Sequence, residues 1–328
     1  MVNQAVTCVQ NATTLMSMLS NPLGKTGLSV SRLGYGAAPI GFLDTEAEQI
    51  GRLMNALLDQ GVTLIDTAAA YKGSEAAIGA AVSARRSEYT LVSKCGMGDD
   101  GLPGEPWSPE RLTATIERSL QRLQTDHLDV CLLHSCDLET LQKGDAIGAL
   151  VAAREAGKIR FAGYSGDNGE AVWAAARPEI AVIETSINLC DQANLKTVLP
   201  VCQAHDTGVI AKRPIANAAW KSTESQQGFY KNYASEYHRR FERMGLTPAD
   251  LGYSGHPEVE WPEIALKFTL AHAGVHSAIC GTTSTVNAQA NVAAIEKNPL
   301  REEVVQRLVE AFDTAEAADD QGPWLGRT

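Results

Sequence analysis

Residues 64–75 read LIDTAAAYKGSE, and this short segment combines a strand, a loop and the start of a helix. An apolar run ends at Asp66, small residues lead to Tyr71, and Ser74 followed by Glu75 is typical of a helix amino terminus. A continuous apolar run without polar alternation indicates a strand that is covered on both faces. The segment therefore predicts a buried strand whose carboxyl end brings a carboxylate and a phenol to one place.

The same strand–loop–helix pattern recurs along the chain. Eight apolar runs have this character, and helix-forming sequence follows each of them: residues 32–37, 62–66, 89–94, 128–134, 159–165, 180–184, 208–214 and 276–282. Eight βα units without a linker predict an α/β fold of the (β/α)8 TIM-barrel type. A doubly wound sheet is the alternative, but its GxGxxG phosphate fingerprint is absent after the first strand.

Several boundaries can be assigned in the same way. Residues 1–20 lack a basic start and a continuous apolar centre, so we interpret them as a loosely ordered extension before a single barrel domain at 21–328. A capping box of Thr45 and Glu48 predicts one helix start, and Ser108 before a proline predicts another. Residues 221–262 form a long loop after the seventh strand, and the tail at 319–328 is expected to be mobile or used in self-contact.

Composition narrows the class of protein. The 328 residues are 44% hydrophobic and 20% charged, which is typical of a globular protein. A net charge of −11 disfavours nucleic acid as a partner, and no apolar run is long enough for a membrane span. Seven cysteines without a CxxC pair indicate reduced thiols and a cytoplasmic location, and the seven histidines show no metal-ligand spacing. We therefore expect a cytoplasmic protein without a metal site.

Four polar residues lie at or just after three successive strand ends. Asp66, Lys94 and His134 end the second, third and fourth predicted strands, and Tyr71 lies in the loop after Asp66. A tyrosine has a pKa of about 10, and a neighbouring ammonium lowers that pKa by stabilising the phenolate. A carboxylate holds the lysine in place, and a histidine can orient a carbonyl group. Each residue alone has an ordinary structural interpretation, but together they predict a proton relay beside a carbonyl carbon.

These motifs, in this order, resemble the aldo-keto reductase family. The resemblance is carried by residues 23–41 (LGKTGLSVSRLGYGAAPIG), 61–79 (GVTLIDTAAAYKGSEAAIG), 91–94 (LVSK), 126–134 (DHLDVCLLH) and 157–165 (GKIRFAGYS). It implies an amino-terminal β-hairpin before the barrel and NAD(P)(H)-dependent interconversion of an alcohol and an aldehyde, ketone or sugar carbonyl. It also implies Tyr71 as general acid/base, Lys94 and Asp66 as its tuning pair, His134 as the carbonyl-orienting residue, and hydride transfer at nicotinamide C4.

The resemblance further implies a set of residues that contact NADP or NAD. They are Gly36, Ser165, Glu184, Lys212, Arg213, Pro214, Ile215, Asn217, Gly281, Thr282, Asn287 and Asn291.

Several of these positions depart from the family pattern. Glu184 replaces a glutamine, and its alternative interpretation is a structural ion pair. Lys212 replaces an aromatic residue that stacks on nicotinamide; Lys212 and Arg213 have the cofactor diphosphate, Glu184, substrate or solvent as candidate partners. Gly281 and Asn287 replace a lysine and an arginine that grip a 2′-phosphate. Because a dianionic phosphate favours a charged fork, we expect a weakened preference for NADP(H) and use of NAD(H).

Two other functions compete with a carbonyl oxidoreductase. Lys94 could be the nucleophile of a Schiff-base lyase, since barrel lysines can attack carbonyl carbons. The chain could instead be a cofactor-binding regulatory subunit without turnover, although Asp66, Tyr71, Lys94 and His134 are all present. The expected partner is a small carbonyl compound or sugar, with neither nucleic acid nor membrane involved. The sequence leaves the substrate and the oligomeric state open.

Overall fold

Eight parallel strands close into a barrel in the computed structural model, which describes residues 20–43, 45–97, 101–226 and 234–326. The barrel strands are β3 (Leu33–Gly36), β4 (Leu64–Asp66), β5 (Thr90–Cys95), β6 (Leu128–His134), β7 (Ile159–Ser165), β8 (Ile180–Ser186), β9 (Gly208–Lys212) and β10 (Ser277–Cys280). Each strand pairs with its neighbour in sequence, and β10 pairs with β3 to close the ring. The predicted (β/α)8 barrel is therefore confirmed.

A two-stranded hairpin precedes the barrel, as the family resemblance implies. Its strands are β1 (Ser20–Pro22) and β2 (Ser29–Ser31), which run antiparallel. Leu23, Leu28 and Val30 of this hairpin are buried in one cluster with the inward-facing residues of the strands. The hairpin thus covers the amino-terminal end of the barrel. The predicted extension at residues 1–20 lies outside the described residues except for Ser20, which begins β1.

The helices surround the barrel. They are α1 (Ala38–Phe42), α2 (Ala47–Asp59), α3 (Ser74–Val82), α4 (Pro109–Leu123), α5 (Leu138–Lys143), α6 (Asp145–Glu155), α7 (Asn168–Ala175), α8 (Ala193–Ala204), α9 (Ser235–Met244), α10 (Pro257–Ala271), α11 (Thr285–Glu296) and α12 (Glu302–Ala317). Apolar residues of most helices pack on the outside of the strands. Within the described ranges, no helix has both the length and the apolar character needed to cross a membrane.

The two predicted helix starts have different outcomes. Ser108 caps α4, since its hydroxyl accepts a hydrogen bond from the backbone N–H of Arg111. The capping box at Thr45 is wrong: α2 begins at Ala47 after Glu46, and the Thr45 hydroxyl donates to the carbonyl of Leu43 instead. A threonine hydroxyl can donate to a nearby backbone carbonyl instead of accepting a hydrogen bond from a helix N–H group. At Thr45 the bond to the carbonyl is the one that forms.

The long segment after β9 is more structured than its predicted loop. The segment contains α9, and α10 begins at Pro257, before the predicted loop end at residue 262. Buried residues of α9, α10 and α12 pack together as a second cluster beside the barrel. This cluster supports the loop that follows β9, at the open end of the barrel.

Candidate active site

The carboxyl ends of three adjacent strands bring the predicted polar residues together. Asp66 is the last residue of β4, Lys94 is the fifth residue of β5, and His134 is the last residue of β6. Tyr71 lies between β4 and α3, on the same end of the barrel. This end is opposite the hairpin and is the end at which barrel enzymes place their active sites.

Lys94 and Asp66 form a buried ion pair. The Lys94 ammonium donates to both Asp66 carboxylate oxygens, at 2.6 and 2.5 Å, and to the Thr67 carbonyl at 3.0 Å. Burial alone would lower the pKa of Lys94, but the negative charges of Asp66 and Glu184 outweigh burial and raise it. Lys94 therefore remains an ammonium across the neutral pH range, held at a fixed point in the barrel mouth.

Tyr71 lies against this ammonium. The Lys94 Nζ is 5.5 Å from the Tyr71 ring centroid, and the His134 ring stands edge-on to the phenol ring with 5.9 Å between centroids. Phe42 contacts the phenol ring at 5.5 Å in an edge-to-face arrangement. A Cβ at Gly41 would come within 2.9 Å of the Tyr71 backbone, so α1 packs directly on this loop. Neighbours on several sides therefore fix the position of the phenol.

His134 is a neutral imidazole in this setting. Burial, assisted by the positive charge of Lys94, lowers the pKa of His134 to about 3. Its Nδ1 atom is buried and has no hydrogen-bond partner among the residues that the structure describes. A neutral imidazole carries one N–H donor and one acceptor nitrogen, so His134 can donate to an uncharged oxygen such as a carbonyl.

Glu184 adds a second carboxylate to the site. It is buried on β8, with Oε2 3.2 Å from Lys94 Nζ and Oε1 accepting the Ser165 hydroxyl at 3.2 Å. Burial, followed by the negative charge of Glu184, raises the pKa of Asp66. Glu184 thus links Lys94 to Ser165, which is the structural ion pair that the sequence left as an alternative.

Asp167 is a further charged residue that the sequence did not single out. It is fully buried, and it accepts hydrogen bonds from the Thr185 hydroxyl at 2.8 Å and the Ser186 N–H at 2.7 Å. Lys212 Nζ and Arg213 Nη1 lie 3.7 and 3.8 Å from its Oδ2 atom. Burial would raise the pKa of Asp167, but these two cations outweigh it and lower that pKa.

Lys212 and Arg213 therefore have a protein partner other than Glu184. Their side chains are only 10% and 14% exposed, so neither is a solvated surface charge. Two adjacent cationic residues at the end of an apolar strand could have predicted a nearby carboxylate, because buried charges are normally paired. Asp167 was missed because it lies between β7 and α7, far from Lys212 and Arg213 in the sequence.

The loop after Arg213 has an unusual backbone. Ala216, Asn217 and Ala218 are consecutive left-handed residues with φ values of 46, 50 and 55°. Left-handed backbone is strained in residues other than glycine, and such strain is often retained at binding sites. The Asn217 Nδ2 group is buried without a hydrogen-bond partner in the described part of the chain. This loop, which includes Pro214 and Ile215, presents an unsatisfied donor beside two cations and so suits an anionic group.

The opposite wall of the site is formed by the ends of β3 and β10. A Cβ at Gly281 would come within 2.8 Å of the Gly36 carbonyl, so a longer side chain cannot fit there unless α1 moves. The Tyr35 hydroxyl donates to the carbonyl of Thr282 at 2.9 Å. Asn287 and Asn291 lie one turn apart at the beginning of α11, where Ser284 caps the helix. This wall offers amides, hydroxyls and a helix amino terminus rather than a cation.

A cavity of about 510 Å³ lies at the other end of the barrel. It lies beside the hairpin, and its charged residues include Arg86, Asp129 and Arg160. Asp129 already accepts hydrogen bonds from Arg86 at 2.7 Å and Arg160 at 2.8 Å. These charges pair with one another, at the end of the barrel opposite the four predicted polar residues.

Comparison with known proteins agrees with this geometry. The model of the aldo/keto reductase family matches residues 32–313. L-galactose dehydrogenase from Arabidopsis thaliana is 27% identical over 288 residues, which cover 83% of this chain and 86% of that protein. NADH-specific methylglyoxal reductase from Escherichia coli is 25% identical, with 84% and 93% covered. The holo form of aldo-keto reductase AKR11C1 from Bacillus halodurans superposes with a TM-score of 0.72 at 26% identity, with 89% and 95% covered.

Proposed function

The chain belongs to the aldo/keto reductase family and is an NAD(P)-dependent oxidoreductase, and we propose that Tyr71 is the general acid/base with which it interconverts a carbonyl and an alcohol. The observation that carries this proposal is the buried Lys94–Asp66 pair beside the phenol ring of Tyr71. An ammonium in this position stabilises the phenolate, so the phenol becomes a usable proton donor. His134 completes the arrangement through its edge-on contact with the same ring.

The proposed mechanism uses each residue at a stated atom. The bound nicotinamide supplies or accepts the hydride. In the direction of reduction, the neutral imidazole of His134 donates a hydrogen bond to the carbonyl oxygen and orients it. Tyr71 transfers its phenolic proton to this oxygen as negative charge develops, and Lys94 stabilises the phenolate that remains. Asp66 keeps the ammonium in place, and alcohol oxidation reverses these steps.

The residues around the rest of the site are suited to a dinucleotide. Lys212 and Arg213, whose side-chain nitrogens lie 3.7 and 3.8 Å from Asp167, bring positive charge to the start of the strained loop. This charge and the unsatisfied amide of Asn217 suit a diphosphate, with Pro214 and Ile215 shaping the loop between them. Ser165 and Glu184 would face the nicotinamide end.

We assign cofactor choice to the wall that contains Gly36, Gly281 and Thr282. The close packing of Gly281 excludes a lysine side chain, and Asn287 and Asn291 provide amides where a 2′-phosphate favours an arginine fork. The amino terminus of α11 still offers backbone N–H groups to a phosphate. We therefore propose that NAD(H) is used as well as NADP(H). One relative is itself named an NADH-specific reductase.

The substrate is proposed to be a small aldehyde, ketone or sugar. Two relatives are named L-galactose dehydrogenase and D-threo-aldose 1-dehydrogenase, which makes sugars a reasonable first group to test. Six buried cysteines of the described residues carry free thiols, which supports the proposed cytoplasmic location.

A Schiff-base lyase is less well supported. A lysine nucleophile must lose its proton, and enzymes achieve this by lowering the lysine pKa. Asp66 and Glu184 have the opposite effect on Lys94 and keep it charged. Borohydride trapping of a substrate on Lys94 would identify the lyase reaction if it occurred.

Tyr71→Phe tests the proposed mechanism. We expect kcat to fall by about 10²- to 10⁴-fold because the proton donor is lost while the ring remains. The Kd for NADH or NADPH, measured by fluorescence titration, should stay within about twofold, a change below about 0.5 kcal/mol. Tyr253→Phe in the segment before α10 serves as the matched control and should retain wild-type turnover.

The same assays decide between the cofactors. We expect kcat/KM for NADPH to exceed that for NADH by less than about a hundredfold, or about 2.7 kcal/mol. A larger ratio would contradict the proposed cofactor use. Wild-type turnover in Tyr71→Phe would contradict the proposed mechanism.

A further inference from the structure

Glu184 lies where family resemblance implies a neutral glutamine, and its charge changes the surroundings of Lys94. It is buried on β8, and its Oε2 atom is 3.2 Å from the Lys94 ammonium. Its other oxygen accepts the hydroxyl of Ser165. We propose that Glu184 is a positioning residue that holds Lys94 between two carboxylates and keeps Tyr71 in its protonated, proton-donating form.

This inference rests on the proposed role of Tyr71 and deepens it. The direct ligands of Lys94 are Asp66 from β4, at 2.5 and 2.6 Å, and the carbonyl of Thr67. Glu184 approaches the same ammonium from β8, on the side of the barrel remote from β4. Lys94 is thus held from two directions, whereas a glutamine at this position would contribute no charge.

The other charged and titratable groups near Glu184 come from several strands. His134 on β6 is neutral in the neutral pH range because its pKa is about 3. Lys212 on β9 interacts with Glu184 electrostatically, but its ion-pair partner is Asp167, at 3.7 Å. Asp66, Lys94 and Glu184 therefore form one charged group, whose ammonium lies 5.5 Å from the Tyr71 ring centroid.

The charge of this triad determines how easily the phenol ionises. Glu184 brings a further negative charge to the Lys94–Asp66 pair, 3.2 Å from the shared ammonium. That charge opposes formation of a phenolate on Tyr71, whose ring is 5.5 Å from the shared ammonium. With glutamine at position 184 that charge would be absent, and the phenolate would form at lower pH. Glu184 consequently favours the proton-donating form of the enzyme, the form needed for carbonyl reduction.

Glu184→Gln is the direct test, because it removes the charge with little change of shape. We expect the ionisation assigned to Tyr71 in the pH profiles of kcat to move downward by about one pH unit in both reaction directions. Alcohol oxidation at a pH below this ionisation should rise about tenfold for that change, because more phenolate is present.

A second measurement does not depend on turnover. The phenolate absorbance of Tyr71 is obtained by subtracting the titration of a Tyr71→Phe variant from that of the parent, in both the wild-type and Glu184→Gln backgrounds. The Tyr71 ionisation should occur at lower pH in the Glu184→Gln background. Should Glu184→Gln fail to fold, Glu184→Met removes the same charge in a side chain of similar length and should give the same change.

Glu75→Gln is the matched control. Glu75 is also a buried glutamate next to β5, but its partners are Ser93, at 2.8 Å, and Arg122, at 3.4 Å. Its substitution should leave the pH profile where it is in the wild type.

The outcomes separate this inference from the proposed function. If Glu184→Gln weakens cofactor binding but leaves both the pH profile and the phenol titration unmoved, Glu184 is only a cofactor contact and the inference is overturned. An upward movement overturns it as well. In either case a large loss of turnover in Tyr71→Phe would still support the proposed function, whereas full turnover in Tyr71→Phe would remove the basis of both.

Discussion

The protonation state of His134 is set by burial rather than by a dedicated partner. The imidazole is partly buried near the Lys94 ammonium, and both burial and that charge disfavour a second positive charge. Its neutral form is the one that can orient a carbonyl oxygen without competing with Tyr71 to donate the proton. A side chain that stays neutral for the sake of catalysis reduces stability in acid, because the unfolded chain can bind a proton that the folded chain cannot.

The pH dependence of unfolding should report this residue. His134 has a pKa of about 3 in the folded protein and about 6.5 when unfolded, so the unfolded state binds more protons between these values. The free energy of unfolding must then fall as pH is lowered from about 6.5 toward 3. We expect His134→Gln to reduce this slope by up to about 1.4 kcal/mol per pH unit, measured by urea unfolding between about pH 7 and pH 5. Parallel slopes for the two proteins would contradict the buried neutral imidazole.

Spacing alone predicted which residues meet at the barrel mouth, but it did not predict all of their partners. Asp66, Lys94 and His134 could be placed because the ends of parallel strands converge, and this follows from strand boundaries. Asp167 could not be placed in this way. Its carboxylate matters because it follows β7 and meets Lys212 and Arg213, which come from the end of β9 on the far side of β8. The pairing of charges from distant strands depends on side-chain direction, which apolar patterning does not contain.

The backbone conformation of the loop after β9 differs from that of the strand that precedes it. Lys212 ends a regular, fully buried strand, whereas Ala216, Asn217 and Ala218 are all left-handed. The sequence gives no sign of this backbone, because left-handed positions are normally marked by glycine and here two are alanine. The capping box at Thr45 failed for a related reason, since short polar side chains have several local partners of similar energy.

Ala218→Gly should measure the strain in this loop. A left-handed alanine costs about 1–2 kcal/mol relative to its usual conformation, and glycine removes that cost while losing some entropy on folding. We expect the free energy of unfolding to rise by up to about 1 kcal/mol, while the Kd for NAD(P)H increases because the loop is less rigid. Urea unfolding and fluorescence titration would give the two values.

The same substitution in a helix provides the control. Ala152 lies exposed in α6, where glycine should destabilise the protein by about 1 kcal/mol. Destabilisation of similar size at both positions would show that the loop backbone is not strained.

At the scale of the whole molecule, the carboxyl-terminal segment returns to the open end of the barrel. Asn168 and Gly326 form two reciprocal hydrogen bonds, at 2.9 and 2.8 Å, between a helix start beside the site and the end of the described chain. A Cβ at Gly326 would come within 2.7 Å of the Asp167 Cβ, so the segment packs directly on the residue that pairs with Lys212 and Arg213. Self-contact, one of the two expectations for the tail, is therefore observed up to residue 326.

Trp324 packs this segment against the rest of the protein. A change at Trp324 should therefore affect both the free energy of unfolding and the position of the segment beside the site. The indole is buried, its N–H donates to Asp319 at 2.6 Å, and its ring contacts Phe312 edge-on with 5.1 Å between centroids. Trp324→Ala should lower the free energy of unfolding by about 3–5 kcal/mol, because it leaves a large cavity and removes one of the hydrogen-bond donors to Asp319.

Leu325→Ala is the adjacent control. This side chain is 55% exposed, so its truncation should change the unfolding free energy by no more than about 0.5 kcal/mol. Trp324 fixes the path of the chain to Gly326, so Trp324→Ala should also break the hydrogen bonds between Gly326 and Asn168. We then expect the Kd for NAD(P)H to rise. Leu325→Ala should leave that Kd unchanged. Urea unfolding and cofactor titration on the two variants separate the effects. A small, equal loss of stability in both would mean that the tail merely rests on the surface and does not support the site beneath it.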